Sequence, residues 1–399
     1  MILHRHIRFR ASYSAVANRL MSTSVEPELL LSQQRQVGII TLNRPKALNS
    51  LNLQMCRDIK RKLLDWHTTE KSVGAFIVKG AGGKSFCAGG DVKSIYLEIV
   101  GMSNEAKKDL GTGKRGMLSS DFFRTEYEMN YLLGTSTVPQ VSIWDGIVMG
   151  GGVGLSVLGE FRIATEKSLF AMPETAIGLF PDVGSSAWLP HLKGGQGLYI
   201  GLTGARLNAM DLMVTGIATH YIPSDKIAEV EKIMIETCSA DPNKAREEVK
   251  AILAHHSCQI TDPAIINKSD IVANKELINK CFSGVTTIED VIARLSAEAG
   301  SNAWADKTLK TLNKMSPNSL KITMQQLQQG KDLDLKKCLE MEFKIVMNCM
   351  KAPDFTEGIR ALLIDKDNNP KWAKKSIEDV KAEEIAAYFT LSSDNELQL

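Results

Sequence analysis

Acidic side chains are absent from the first 25 positions of this 399-residue chain, and the first carboxylate is that of Glu26. The same stretch is rich in serine and contains four arginines: Arg5, Arg8, Arg10 and Arg19. Such a composition is typical of a mitochondrial transit peptide, so residues 1–25 are predicted to direct the protein to the mitochondrial matrix. A tail without a targeting role is the alternative. A secretory signal is disfavoured because no apolar stretch follows the arginines.

Long apolar runs and paired cysteines are also missing. The best uncharged run, residues 146–159, has 14 residues, six of them glycine, and is too short to cross a bilayer. The seven cysteines are scattered without a Cys-x-x-Cys pair. We therefore expect reduced thiols that lie mostly in the core, and neither disulfides nor a metal site.

Charge of one sign is not in excess, since 48 lysines and arginines face 46 acidic residues. Without the four N-terminal arginines the formal charge falls from +2 to −2. This balance gives no reason to expect a nucleic-acid partner. With 44% hydrophobic and 24% charged residues the chain is not disordered, and its length favours one large domain or two.

Short β-branched runs alternate with helical patterns from about residue 29 to residue 225. The predicted strands are Val37–Leu42, Val73–Lys79, Val141–Trp144 and Arg162–Thr165. The helix after the first strand is predicted to be capped by Ser50, with its apolar face at Leu51, Met55, Ile59, Leu63 and Trp66. This alternation predicts an α/β domain over residues 29–225.

Strand-like runs disappear from about residue 226. Helical patterns follow one another at 224–240, 242–256, 302–313 and 333–350, and no repeat of fixed period is found. Residues 226–399 are therefore predicted to form a helical C-terminal region.

Two glycine-rich turns each follow a predicted strand, at Ser85–Asp91 and at Gly146–Gly154. Neither completes a dinucleotide-binding or P-loop pattern. Backbone N–H groups of such bare turns approach a ligand closely, and two that converge would bind an oxyanion. A purely structural need for the glycines would explain them equally well.

Two acids, Glu174 and Asp182, follow in a segment punctuated by proline and glycine. A carboxylate in an otherwise apolar loop is costly unless it is solvated or paired, which makes both residues candidates for chemistry. Helix capping or a turn role is the alternative.

The order and spacing of these segments resemble the signatures of the crotonase (enoyl-CoA hydratase/isomerase) superfamily. The matching segments are Leu42–Asn49, Phe86–Asp91 and Gly146–Gly154. Over roughly residues 29 to 390 the chain is similar to a thioester-hydrolase subfamily, on the segments Met149–Ser156, Ala164–Lys167, Ala171–Gly184, Gly216–His220, Asp354–Arg360, Ile364–Asp367 and Pro370–Trp372. The resemblance implies a ClpP/crotonase-like ββα superhelical core with a helical C-terminal region.

The resemblance also implies roles for five residues. The amides of Gly90 and Gly151 would form the oxyanion hole, and Glu174 would be the general base or the nucleophile. Asp182 would be catalytic and would bind substrate, together with Glu126.

Position 154 departs from the hydratase pattern. Hydratases of the superfamily have a second catalytic glutamate there, whereas this chain has Gly154. The pair of glutamates that adds water to a C=C bond is therefore not available.

The implied reaction is hydrolysis of a short branched 3-hydroxyacyl-CoA in valine degradation, with 3-hydroxypropionyl-CoA as a further substrate. Lys46 and Lys366 are the candidate partners of the CoA phosphates, although each could be an ordinary surface charge. No metal and no cofactor beyond the substrate's CoA are expected, and neither is a nucleic-acid or membrane partner. A homo-oligomer is compatible with the superfamily. The alternatives are a hydratase or isomerase of the same superfamily, or a mitochondrial small-ribosomal-subunit protein derived from the hydrolase.

Overall fold

Two β-sheets form the first half of the molecule. The computed structural model describes residues 26–68, 73–258, 269–391 and 395–399, so the predicted transit peptide lies outside the described residues. The larger sheet contains β1 (Leu29–Gln34), β2 (Val37–Leu42), β3 (Ala75–Gly80), β5 (Gln140–Trp144), β7 (Phe161–Ala164) and β9 (His220–Tyr221). The smaller sheet contains β4 (Ser85–Cys87), β6 (Ile147–Met149) and β8 (Leu169–Ala171).

The chain passes from the large sheet to the small one three times and returns each time. The large sheet has the order β1-β2-β3-β5-β7-β9, in which only the β1–β2 pair is antiparallel. The small sheet, β4-β6-β8, is parallel. Passing from β3 to β4, from β5 to β6 and from β7 to β8, the chain traces a superhelix of β–β–α units, which confirms the predicted fold class.

The four predicted strands are present within two residues of their predicted bounds. The sequence patterns do not predict strands β4, β6 and β8. Of these, β4 and β6 lie within the two glycine-rich segments. Each has three residues, which is too short for a period to be recognised. The repeat of the superhelix also escapes a search for a fixed period because the helical segments between its strands differ in length.

Helices fill the rest of the described chain. Up to residue 256 they are α1 (Leu53–Thr68), α2 (Val92–Gly101), α3 (Leu118–Gly134), α4 (Gly151–Gly154), α5 (Ser185–Trp188), α6 (Gln196–Thr203), α7 (Ala209–Thr215), α8 (Ile227–Thr237) and α9 (Pro242–His256). Those that follow are Asp270–Ala273, Lys275–Phe282, Ile288–Glu298, Ala303–Leu312, Pro317–Gly330, Leu335–Lys351, Pro353–Ile359 and Ala382–Tyr388. The described residues after β9 include no strand, and all four predicted C-terminal helices are present. None of the helices described is both long and apolar enough to cross a membrane.

Buried side chains from both halves of the chain belong to one apolar cluster, which includes Ile40, Phe86 and Phe343. A second cluster lies between the other face of the large sheet and helices α8 and α9, and includes Val37 and Leu253. The sheet is thus covered on both faces, as expected of parallel strands. The division of the chain at residue 225 stays a prediction.

The predicted cap of α1 is wrong. The side chain of Asn52, not that of Ser50, accepts a hydrogen bond from a first-turn amide, that of Met55, at 2.9 Å. The Ser50 hydroxyl donates to the carbonyl of Ala47 instead. Because the helix begins at Leu53, Leu51 is free to pair with the first glycine-rich turn.

Candidate active site

The first glycine-rich turn is fastened to the start of α1. The Leu51 amide donates to the carbonyl of Gly89 at 2.9 Å, and the Asp91 amide donates to the carbonyl of Leu51 at 2.7 Å. The Arg44 guanidinium pairs with the carboxylate of Asp91 at 3.1 Å. These bonds on both sides of Gly90 fix the direction of its amide.

Asn49 supports the same turn from below. Its side-chain amide is fully buried and donates to the carbonyls of Ala81 and Ser85, while its oxygen accepts from the backbone of Arg44. Two residues of the segment Leu42–Asn49, Arg44 and Asn49, therefore hold the first glycine-rich turn in place. Sequence reasoning used this segment for recognition and assigned no role to either residue.

The second turn brings another amide beside that of Gly90. Gly150 has a positive φ of 48° and starts α4 at Gly151. A Cβ atom added at Gly151 would lie 3.1 Å from the nitrogen of Gly90 and 2.4 Å from Oε1 of Glu126. In the part of the chain that the structure describes, neither the Gly90 nor the Gly151 amide donates a hydrogen bond. Two adjacent unused donors form the arrangement that an oxyanion requires.

A small pocket of about 80 Å³ brings together five of the residues predicted for the site. Gly90 and Gly151 line this pocket together with the three acidic residues Glu126, Glu174 and Asp182. Glu126 projects from α3, Glu174 opens a 3₁₀ turn, and Asp182 lies in the loop before α5. The apolar lining consists of Val92, Phe122, Phe123, Met149, Ile177 and Leu179.

The three carboxyl groups are buried, and two of them have an oxygen without a partner. Tyr127 donates its hydroxyl to Oδ2 of Asp182 at 2.7 Å. Among the described residues, Oε1 of Glu126 and Oε2 of Glu174 have no hydrogen-bond partner. Buried polar atoms are rarely left unpaired, so these two oxygens are available to a substrate or a water molecule.

Burial raises the pKa of all three carboxyl groups. The pKa of Asp182 rises to about 6, although the hydrogen bond from Tyr127 favours the ionised form. The pKa values of Glu126 and Glu174 are also raised, mainly by burial and further by the nearby charge of Asp182. None of the side chains that line the pocket is a cation. The site thus keeps a carboxyl group able to take up a proton near neutral pH.

The two lysines proposed for CoA are exposed and do not line the pocket. Lys46 lies in the turn before Leu48, whose carbonyl accepts from the amide of Ala88 at the pocket wall. Lys366 follows the Pro353–Ile359 helix, which packs against the 3₁₀ turn of Glu174. Both segments therefore adjoin the site, and phosphate binding by these lysines stays a prediction.

The space beside Gly154 is filled. A Cβ atom at this position would lie 2.4 Å from Cβ of Val183 and 3.0 Å from Nδ2 of Asn130. A glutamate cannot be accommodated here without moving the loop that carries Asp182. In the part of the chain that is described, no group of three or more His, Cys, Asp or Glu side chains is arranged to hold a metal ion.

Sequence reasoning missed three side chains that hold Asp182 and its loop: Tyr127, Gln326 and Glu342. The sequence does contain a signal for Glu342, because this acid lies on the apolar face of the helix predicted over residues 333–350. An acid at such a position indicates a buried carboxylate with partners.

Paired backbone donors facing buried carboxyl groups, on a superhelix of β–β–α units, define an enzyme of the crotonase type. Residues 37–389 match the model of the enoyl-CoA hydratase/isomerase family, and the chain belongs to this family.

Individual relatives are similar to the chain over most of its length. The chain is 45% identical over 372 residues to the mitochondrial 3-hydroxyisobutyryl-CoA hydrolase of Xenopus laevis, covering 93% of this chain and 90% of the relative. It is 40% identical to the human protein of the same name, covering 100% and 98%. Among solved structures, a carnitinyl-CoA dehydratase from Mycobacterium thermoresistibile has a TM-score of 0.78 at 35% identity, covering 93% of this chain and 98% of that one.

Proposed function

We propose that the protein hydrolyses the thioester of 3-hydroxyisobutyryl-CoA to 3-hydroxyisobutyrate and free CoA, with 3-hydroxypropionyl-CoA as a further substrate. The observation that carries this proposal is that Gly90 and Gly151, whose amides donate no hydrogen bond within the described chain, line one pocket with Glu174, whose Oε2 has no partner among the same residues. The names of full-length relatives at 40–45% identity support the same reaction.

The reaction begins with the thioester carbonyl oxygen between the two amides. Glu174 removes a proton from water as the water oxygen attacks the carbonyl carbon, or attacks that carbon itself to give an anhydride that water then opens. In both routes the C–S bond breaks and the sulfur leaves with the bonding electrons. In the general-base route the proton that Glu174 took from water neutralises the thiolate. In the anhydride route Glu174 carries the acyl group and no proton, so the thiolate takes its proton from solvent, and the water that opens the anhydride returns one proton to solvent and frees the Glu174 carboxylate. Each amide that stabilises the oxyanion contributes about 10²–10³-fold to the rate.

Asp182 and Glu126 recognise the acyl group. A 3-hydroxyl placed in the pocket donates to a carboxylate oxygen that otherwise stays buried without a partner. A thioester that lacks the hydroxyl leaves that charged oxygen unsatisfied, which costs about 1.5–3 kcal/mol, or about 10- to 150-fold in kcat/KM. The pocket of about 80 Å³ suits a short acyl chain.

The cellular assignments are part of the same proposal. The relatives are named as mitochondrial proteins. We place this protein in the mitochondrial matrix, with residues 1–25 as the import signal and valine degradation as the pathway. Lys46 and Lys366 would then bind the phosphates of CoA near the pocket mouth.

A thiol-trapping assay with a panel of acyl-CoA substrates tests the proposal. We expect 3-hydroxyisobutyryl-CoA and 3-hydroxypropionyl-CoA to be cleaved at least 10-fold faster than isobutyryl-CoA. Glu174→Gln and Asp182→Asn should each lower kcat at least 10²-fold. Glu128→Gln, which changes a partly exposed carboxylate on α3 that pairs with Lys60 outside the pocket, is the control and should retain activity. Near wild-type turnover by Glu174→Gln would contradict the assigned roles.

Hydration of crotonyl-CoA, measured beside thioester cleavage, separates the hydrolase from a hydratase. Because the volume of a second glutamate is occupied by Val183, we expect no hydration. A non-catalytic ribosomal protein would not need the assembled amides and carboxyl groups. Turnover of the hydroxyacyl thioesters distinguishes the hydrolase from such a protein.

A further inference from the structure

The loop that carries Asp182 has an unusual backbone. Val183 has a φ of 54° and Gly184 a φ of 88°, so two consecutive residues after Asp182 are left-handed. A β-branched residue is disfavoured in this region and persists there only when its surroundings hold it. Something other than the local sequence must therefore fix the loop.

Two side chains from the C-terminal helices hold this loop on both sides of Asp182. The carboxylate of Glu342, which is fully buried, accepts from the Gly184 amide at 2.7 Å, the Ser186 amide at 2.9 Å and the Ser186 hydroxyl at 2.6 Å. The side-chain amide of Gln326 donates to the carbonyl of Pro181 and to the Ser186 hydroxyl.

We infer that Glu342 is a positioning residue for the proposed hydrolysis, acting through the loop to aim the carboxylate of Asp182 into the pocket. Glu342 does not line the pocket, and its three bonds all go to the two residues Gly184 and Ser186. This inference rests on the proposed function, because Asp182 has its role only within that reaction. A displacement of about 1 Å in a reacting group can cost about 10²-fold in rate.

The matched control is Asp211, a second buried carboxylate that also accepts from two backbone amides and one serine hydroxyl. It accepts from the Asn208 amide, the Ile271 amide and the Ser269 hydroxyl, and it does not line the pocket. Both substitutions, Glu342→Gln and Asp211→Asn, replace one buried acceptor oxygen by an amide nitrogen. The thermal stability of each variant is measured, and kinetics are taken where both are folded.

We expect Glu342→Gln to lower kcat for 3-hydroxyisobutyryl-CoA about 10²-fold with little change in KM, while Asp211→Asn changes kcat less than twofold. Combined with Asp182→Asn, the Glu342 substitution should add almost nothing, because it acts through a group already removed. A kcat loss equal to that of the control, or one that multiplies the loss from Asp182→Asn, would overturn the inference.

Ser186→Ala is the second variant, for use if Glu342→Gln does not fold. It removes one of the three bonds to Glu342 and also the bond from Gln326 to the hydroxyl, while both backbone amides are kept, so we expect kcat to fall about 3- to 10-fold. Unchanged kcat in Ser186→Ala overturns the inference. Wild-type protein that cleaves none of the hydroxyacyl thioesters contradicts the proposed function itself, whereas an active wild type with an unaffected Glu342→Gln contradicts only the role of Glu342.

Discussion

Three carboxyl groups in one small pocket place opposite demands on activity and stability. Burial raises the pKa of Asp182 to about 6, so the folded protein holds a proton that the unfolded chain, with its ordinary aspartate pKa, has already lost. The contribution of Asp182 to the free energy of unfolding therefore falls as the pH rises from about 4 through about 6, and this contribution levels off above. Proton abstraction in the active site needs the ionised carboxylates, so the rate is highest where the folded state is least favoured.

Asp182→Asn should separate these two effects. Removing a buried carboxyl group whose pKa is raised to about 6 should increase the free energy of unfolding at pH 8 by about 1–3 kcal/mol, and have little effect at pH 4. The same variant should lose most of its turnover, and the rise of kcat/KM between pH 5 and pH 7 should become flatter. Urea unfolding and pH–rate profiles measure both quantities, with the exposed Asp225→Asn as control. A lower stability at pH 8 would contradict the burial argument.

At the scale of elements, the connection between β2 and α1 determines the direction of the first oxyanion amide. Arg44 lies in this connection. Its guanidinium donates to the carboxylates of Glu28 and Asp91 and to the carbonyl of Ser50. Asp91 also caps α2, since it accepts from the Ser94 amide. One arginine thus joins the start of the sheet, the start of α1 and the first glycine-rich turn.

We expect Arg44→Met to lower kcat about 10-fold, because the turn around Gly90 loses one of its ties and the oxyanion donor is less well aimed. Arg246→Met is the matched control, since Arg246 pairs with Glu160 and donates to a carbonyl away from the pocket. Both variants should lose similar thermal stability, and only the first should lose kcat. Equal losses of kcat in the two variants would show that the loss comes from general destabilisation and not from the oxyanion donor.

Elements with their own periodic pattern could be predicted from the sequence, and those defined by their neighbours could not. The strand Val37–Leu42 and the helix Leu335–Lys351 carry clear patterns. Strand β4 has three residues and exists because it pairs with β6. The site shows the same contrast, because glycines and acids stand out in the chain, whereas the bond from Tyr127 to Asp182 joins residues that are 55 positions apart.

At the scale of the whole molecule, residues near the end of the chain support the helix that carries Glu126. Arg124, also on α3, is 3% exposed and lies over the ring of Phe343 at 4.5 Å. Its guanidinium donates to the carbonyls of Asn395 at 2.6 Å and Glu396 at 2.8 Å. The C-terminal residues therefore supply two of the acceptors of a buried cation on the helix that carries Glu126.

Deleting residues 395–399 should lower the free energy of unfolding by about 2–4 kcal/mol, because the buried guanidinium loses two acceptors. Adding Arg124→Met to the deleted chain should recover part of the loss, since it removes the unsatisfied charge. Chemical denaturation of the two shortened chains and of the full chain measures this. No recovery by Arg124→Met would assign the loss to other contacts of the segment.

The contact between Val183 and Gly154 has a consequence for how such enzymes diverge. Val183, in the loop that presents Asp182, occupies the space that a side chain at position 154 would enter. A single substitution at position 154 would meet the side chain of Val183, and a single change at Val183 would leave an empty site. We therefore expect a glutamate at position 154 to be tolerated only when Val183 is replaced by a smaller residue at the same time, so that the two positions change together rather than one after the other.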